Sequence, residues 1–266
     1  MNKFTKISLS VVLISAFAFA ANTNPQHASS ELRGSIIVNK ASMSKVKVKK
    51  NAKATVESVD VQKSGIIKSR IENEGRTYNL TVGKNSAATV GSVKVNKSVV
   101  GGSFISNKNN AQHIKTGKNS RAEIGSMEID KSKVRSSQLR NESEAYHIKT
   151  GKNSRAEIGS LNVKKSNIER SKIYNTSKAV GIKTGKNSMA VIGSTDIKNS
   201  DIKHSKISNS SYAGKVRVGK NARAQIGSVE VKNSNVYGSR VYNKSCASDV
   251  KVGKNSSLEA GSVNIK

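Results

Sequence analysis

Along most of this chain aliphatic and polar residues alternate with a period of two, and Gly, Ser or Asn interrupts the alternation every few residues. One aliphatic column is Val46, Leu80, Ile114, Ile148, Ile182, Val216 and Val250. Two residues on stand Val48, Val82, Thr116, Thr150, Thr184, Val218 and Val252. After a Lys-Asn pair come Ala54, Ala88, Ala122, Ala156, Ala190, Ala224 and Leu258, followed two residues later by Val56, Val90, Ile124, Ile158, Ile192, Ile226 and Ala260. A Gly-Ser break then follows in six of the seven copies, from Gly91-Ser92 to Gly261-Ser262. Period two sends successive side chains to opposite faces of a strand. The pattern therefore predicts strands of three to five residues separated by corners.

The columns share one frame. From Lys50-Asn51 to Lys84-Asn85, and on to Lys254-Asn255, every step is 34 residues with no insertion. The clearest copies read TGKNSRAEIGSMEI from Thr116 and TGKNSRAEIGSLNV from Thr150. Helical tetratricopeptide units have the same length, but they need Trp, Leu, Ala, Phe and Pro at helical spacing. Val, Ile, Ser, Asn and Gly dominate here, which is strand and turn chemistry. The fold class expected is all-β: a parallel β-helix, or β-solenoid, of seven repeats over residues 29–266. One unit cannot bury its aliphatic face alone, but stacked units share a core, each fully buried aliphatic contributing roughly 1.5–3 kcal/mol. One wide turn per unit is favoured over two turns of 17, because the two halves of a unit do not align.

The second half of each unit repeats Ser, any residue, aliphatic on a five-residue beat, as in Ser166-Asn167-Ile168 with Ser171-Lys172-Ile173. This beat resembles that of pentapeptide-repeat β-helices, which implies that the small residue and the aliphatic both point inward. The resemblance covers about a third of each unit. The beat ends on a column of Asn73, Asn107, Asn141, Asn175, Asn209 and Asn243. A second asparagine column is Asn51, Asn85, Asn119, Asn153, Asn187, Asn221 and Asn255. Stacked at about 4.8 Å, amides can hydrogen-bond along the axis as ladders; the alternative is that Asn is present because turns favour it. A residue type kept in every copy favours the ladder.

Residues 1–20 read as a secretory signal peptide: Lys3 and Lys6, an apolar run from Ile7, and the small-x-small close Ala18-Phe19-Ala20. The run is too short to span a bilayer comfortably. Residues 21–28 form a short N-terminal segment. The expected location is extracellular or the cell surface, with the periplasm as the alternative. Cys246 is the only cysteine, so no internal disulfide can form; it falls in a variable column and reads as a surface thiol.

The formal charge is +30, and loss of the signal leaves +28. A surface so charged repels its own copies and attracts polyanions. The cations are in registered rows. One is Lys50, Lys84, Lys118, Lys152, Lys186, Lys220 and Lys254; three residues earlier lies Lys47, Thr81, Lys115, Lys149, Lys183, Arg217 and Lys251. Lys53, Arg121, Arg155 and Arg223 add a partial row. This basic strip is the candidate polyanion-binding site, for acidic polysaccharide, lipopolysaccharide or the DNA backbone; the bland alternative is a solvated face. Aromatics are only 4% of the chain, so stacking on bases is not expected, and DNA binding would be sequence-blind and salt-sensitive.

Residues 29–266 are seven whole units in frame, and no atypical capping unit is visible within them. Such ends predict head-to-tail association with copies of itself or coverage by a capping partner. The function expected is a structural protein, a self-assembling surface fibre or matrix scaffold; the alternative is a monomeric basic adhesin. The segment Gly117-Lys118-Asn119-Ser120-Arg121-Ala122 resembles the Gly, Asn and Ala part of curlin repeats, and the exported stacked-strand character is similar to that of curlin-like fibre subunits and repeat adhesins. The period here is longer and the Asn is displaced by one residue, so no functional residue is carried across.

Enzyme chemistry finds little footing. His27, His113, His147 and His204 include one two-rung pair, His113 and His147, without the further ligands a metal site needs. Glu123, Glu157 and Glu259 share a column and are expected to offset nearby lysines. There is no nucleophile motif, phosphate loop or calcium-binding repeat, so no cofactor and no small-molecule substrate is expected. A polysaccharide lyase is the enzymatic alternative, and the strict frame leaves no room for its off-pattern cluster.

Overall fold

The computed structural model describes residues 30–45, 47–48, 51 and 53–265. The signal sequence, the 21–28 segment, His27, Val46, Lys50 and Lys266 lie outside the described residues. One coil represents the rest. It runs through strands Asn167–Glu169, Lys172–Val180, Met189–Ile192 and Thr195–Lys198. A single bridge residue, Lys183, sits between the second and third. Each strand pairs in parallel with its equivalent one unit on: Asn167 with Asp201, Lys172 with Lys206, Met189 with Arg223, Thr195 with Val229. Two of the resulting sheets have seven strands each. One unit is thus one turn of a β-solenoid; turns of 17 residues would have paired each residue with another partner.

The second strand is longer than the alternation had suggested, nine residues in Lys172–Val180. The reason is that period two persists beyond Asn175, where Ser177 and Ala179 also turn inward. Each corner places one residue in the left-handed region of the backbone. Four of them carry φ near +50°, as at Lys165, Arg170, His147 and Asn153. After three of these corners a serine turns inward. The backbone N–H of Ser171 donates to Ser205 Oγ at 3.1 Å, and Ser171 Oγ donates to the carbonyl of Glu169 at 2.8 Å. Ser166 and Ser154 do the same in their columns. The serines thereby satisfy corner backbone groups that would otherwise be buried without partners. The inward serine and aliphatic of the five-residue beat are both in place, with Ser166, Ile168, Ser171 and Ile173 all buried.

The interior is not one core but two. Leu161, Val163, Ile168 and Ile173 belong to one apolar column stack. Ala179, Ile182, Ala190 and Ile192 belong to the other. Between them the long strand and the Gly-Ser bend come together across a polar waist. Asn141 Nδ2 reaches across it to the carbonyl of Ser160 at 3.3 Å, and Ser177 Oγ donates to the carbonyl of Gly159 at 3.2 Å. The approach is so close that a Cβ on Gly159 would lie 1.9 Å from Ser177 Oγ, and the residue also has φ of +61°. Glycine is therefore required there on two counts. The one copy without glycine at this bend carries Glu57, and the residue 18 positions on, which is serine or asparagine in the other pairs, is there Gly75.

The two asparagine columns have different fates. The one from Asn73 is a buried ladder. Each Nδ2 donates to Oδ1 of the next coil, from Asn39 through Asn73, Asn107, Asn141, Asn175 and Asn209 to Asn243, at 2.8–3.0 Å. Six bonds pointing one way polarise one another. The column from Asn51 is instead exposed, on the left-handed corner position, with φ of +52° to +57°. Only Asn85 to Asn51 and Asn119 to Asn85 are joined amide to amide among the described residues, at 3.3 and 3.2 Å. Turn geometry accounts for this column, and the ladder expectation fails for Asn153 to Asn255.

Candidate functional site

The exposed asparagines line an open groove of about 1100 Å³ that runs the length of the stack, from Asn51 to Asn255. Its floor is built by Ser120, Ser154 and Ser188, whose side chains turn inward to close the corner. Arg121, Arg155 and Arg223 contribute to its lining. From Lys84 on, a glycine precedes each of these lysines, and it lets neighbouring coils approach closely. A Cβ on Gly151 would lie 2.1 Å from the carbonyl oxygen of Gly117. Inside that corner, Thr116 and Thr150 turn their hydroxyls to the backbone N–H of Gly151 and Gly185, each at 3.1 Å.

Lys84, Lys118, Lys152, Lys186, Lys220 and Lys254 are all exposed, as are Lys47, Lys115, Lys149, Lys183, Arg217 and Lys251 of the second row. Among the described residues, every ion pair that forms involves other cations. The glutamates expected to offset lysines pair with arginines instead. Arg121 Nη2 stands 3.1 Å from Glu157 and 3.4 Å from Glu123, and Arg223 donates to Glu259 at 2.9 Å. The partial arginine row is thus partly neutralised, whereas no ion pair among the described residues reaches the two lysine-rich rows. Nothing in the charge count alone distinguishes these two kinds of cation. The signal lay in the frame: Arg121 and Glu123 are two residues apart on one strand and so share its outer face.

Glu259 is held below the usual carboxylate range by the Ser262 hydroxyl first and the Arg223 guanidinium second. A lowered folded-state value means that this contact stabilises above the ordinary carboxylate range. Its contribution is lost as pH falls through the depressed value. Lys198 is raised by its hydrogen bond to Asp196, so its contribution is present at neutral pH and is lost only as pH rises through the raised value. Neither group lies in the lysine rows.

His113 and His147 stack with ring centroids 4.9 Å apart, and His204 meets Tyr237 edge-on. No group of three or more His, Cys, Asp or Glu side chains converges among the described residues. Cys246 is exposed.

No family model matches the chain, and no curated protein matches it. Among solved structures, a similarity covering 73% of this chain and 91% of the other is to a trypsin-treated QnrB1, a plasmid-mediated fluoroquinolone resistance protein. The identity is 9% and the TM-score 0.12, so this likeness carries no weight for fold or function.

Proposed function

We propose that this chain is an exported, non-enzymatic scaffold that holds a linear polyanion along its lysine-asparagine corner. The observation that carries the reading is the contrast between cations. Those on the arginine row have acidic partners within the coil stack, while the two rows beside the groove present unpaired charge in register from coil to coil. Like charges aligned in this way repel, and a bound polyanion relieves the repulsion while releasing its own counterions. A structural role also fits the unbroken frame, in which every described coil is spent on stacking.

The test replaces Lys118, Lys152, Lys186 and Lys220 together by Gln. Each exposed contact is worth about 0.2–1 kcal/mol. The four together should therefore lower affinity for heparin roughly 4-fold to nearly a thousandfold at low salt. The wild-type affinity should fall linearly with salt on logarithmic axes, and less steeply in the variant. The circular dichroism spectrum should be unchanged, because all four side chains are outside the core. Equal binding by the two proteins would reduce the strip to a solvated face.

End-to-end stacking of copies is a second reading, and it suits coils that all repeat one register. The strands of the last described coil pair along one edge only, and Val252, Leu258 and Val263 are 43%, 37% and 50% exposed. In this column each backbone N–H donates to the following coil, as Leu161 does to Ser194 and Val229 to Ser262. Val263→Pro would therefore remove a donor that no described residue uses and would leave the inner coils intact. Sedimentation should show wild-type assembly increasing with salt, as repulsion between copies is screened, and the variant remaining monomeric. A wild-type protein that is monomeric at every salt and concentration would leave the isolated rod as the better reading.

A further inference from the structure

A second groove runs along the axis on the outer face of the long-strand sheet. We propose that it binds an uncharged oligosaccharide, a short run of hydroxyl-bearing rings, at a site separate from the lysine rows. The inference goes beyond the polyanion reading and does not depend on it.

The groove follows from the waist. Ser143 and Ser177 draw their strands inward onto Gly125 and Gly159, so the opposite face of the same strands is hollowed. The hollow has a volume of about 870 Å³ and is lined from seven coils, by Ser42 in the first and Cys246 in the last. Six steps of about 4.8 Å make it about 29 Å long. Its volume is in the range of sites that hold an organic ligand.

Charge is the first argument for the class of ligand. Along one column Lys40, Glu74, Lys108 and Glu142 stack in register with alternating sign, and Lys40 stands 3.6 Å from Glu74. In the next column Glu144 lies between Asn110 and Lys178. A polyanion laid here meets carboxylates, and a polycation meets lysines on a chain of net charge +30. The core of a protein interface is depleted in charged residues, so the centre of this groove does not suit a protein partner. Hydroxyls both donate and accept, so an uncharged polyhydroxyl ligand satisfies ammonium groups and carboxylates alike. Glu144 has capacity to spare. Its Oε2 accepts from Asn110 Nδ2 at 3.2 Å and from the Tyr146 hydroxyl at 3.5 Å, and its Oε1 has no partner among the described residues. The Lys178 ammonium stands instead over the Tyr146 ring, 5.7 Å from its centroid.

Aromatic placement is the second argument. The chain has six tyrosines, and Tyr78, Tyr146, Tyr174, Tyr212 and Tyr242 all lie on the outer face of this one sheet. Tyr78 and Tyr212 line the groove itself and are 46% and 39% exposed. They are four coils apart, about 19 Å along the axis, with Glu144 midway. A tyrosine offers an apolar ring face to the C–H side of a sugar and a hydroxyl to its oxygens. The lysine-asparagine corner lacks both features, since no aromatic and no carboxylate lines its groove.

The test is isothermal titration with chitohexaose, cellohexaose and maltohexaose, all uncharged, at low and high salt, with heparin as the polyanion for comparison. At least one hexasaccharide should bind equally at both salt concentrations, whereas heparin affinity falls steeply. Saturating heparin should not displace the hexasaccharide, and replacing Lys118, Lys152, Lys186 and Lys220 by Gln should leave its affinity unchanged. Tyr78→Ala combined with Tyr212→Ala should weaken it at least about fivefold, and Glu144→Ala about tenfold or more. These side chains face outward, so the circular dichroism spectrum should be the same in both variants. Failure of all three hexasaccharides to bind at millimolar concentration would overturn the site. So would binding that heparin displaces, or binding indifferent to the tyrosine and glutamate variants. A tyrosine variant altered only in its sedimentation would make this face an interface between copies and the oligosaccharide site wrong. Heparin binding by the lysine variant is read separately, so loss of the polyanion reading and loss of this one are told apart.

Discussion

Gly159→Ala should destabilise the solenoid by about 3–6 kcal/mol, although it adds a single methyl group. A left-handed backbone costs a non-glycine residue roughly 1–2 kcal/mol. Forcing an extra carbon into a filled interior costs about 1–3 more. The carbon would meet Ser177 Oγ at 1.9 Å, so the serine must move and lose its bond to the Gly159 carbonyl, worth about 0.5–1.5 kcal/mol. The chain itself indicates how this is relieved. Where the equivalent of Gly159 is Glu57, the residue 18 positions on is Gly75. Ser177→Gly should accordingly recover about 1–3 kcal/mol of the Gly159→Ala loss, while costing stability on its own. Urea unfolding of the two single variants and the double variant measures the coupling. Strictly additive losses would mean that the waist is not as tight as its geometry requires.

The second large effect is Asn141→Asp. The amide nitrogen of Asn141 donates to Asn175 Oδ1 at 2.9 Å and to the Ser160 carbonyl at 3.3 Å, both buried acceptors. A carboxylate in its place has no proton to give and opposes two oxygens. Burial and these neighbours both disfavour the charged form, so its pKa in the folded state must rise above the unfolded 3.9 or so. A rise of about 3 units corresponds to about 4 kcal/mol lost at neutral pH. The sign is opposite to that of Glu259. A raised acid is penalised above its folded-state pKa, and the variant should regain stability as pH falls towards the unfolded value. Thermal unfolding from pH 8 to pH 4 checks this. A variant whose deficit relative to wild type is constant over that range would show that the ladder does not need a donor at this rung.

Which features could be read from the chain follows from the direction in which they run. The frame, the inward aliphatic columns and the serine beat run along the axis, where position i stacks on position i + 34, so columns of letters display them directly. The waist runs across the coil. Asn141 and Ser160 are 19 residues apart, and their facing each other depends on how wide the turn is and where it pinches, which no column shows. The exchange of Glu57 with Gly75 was the available signal, visible only once a spacing of 18 is tried. The two asparagine columns looked equivalent as letters. What separates them is whether the corner or the strand interior carries them, and hence whether water or a neighbouring amide satisfies them. The lysine rows were legible as rows. That the neighbouring arginines are neutralised required the shared outer face of one strand.

The waist also bears on how the chain reaches its folded state. Its bonds join residues only 16–20 positions apart, whereas coil-to-coil pairing always spans 34. Closing the shorter loop costs less chain entropy, so a single turn can be pinched into two lobes before it has a neighbour to lie on. Each pinched turn then offers a preformed edge to the next. Folding would proceed as zippering from whichever turn closes first, with a cost per added coil that does not grow with the length of the rod. A chain built on this plan can gain or lose whole units of 34 residues and remain foldable, whereas removing any other number would set polar waist residues against an aliphatic column.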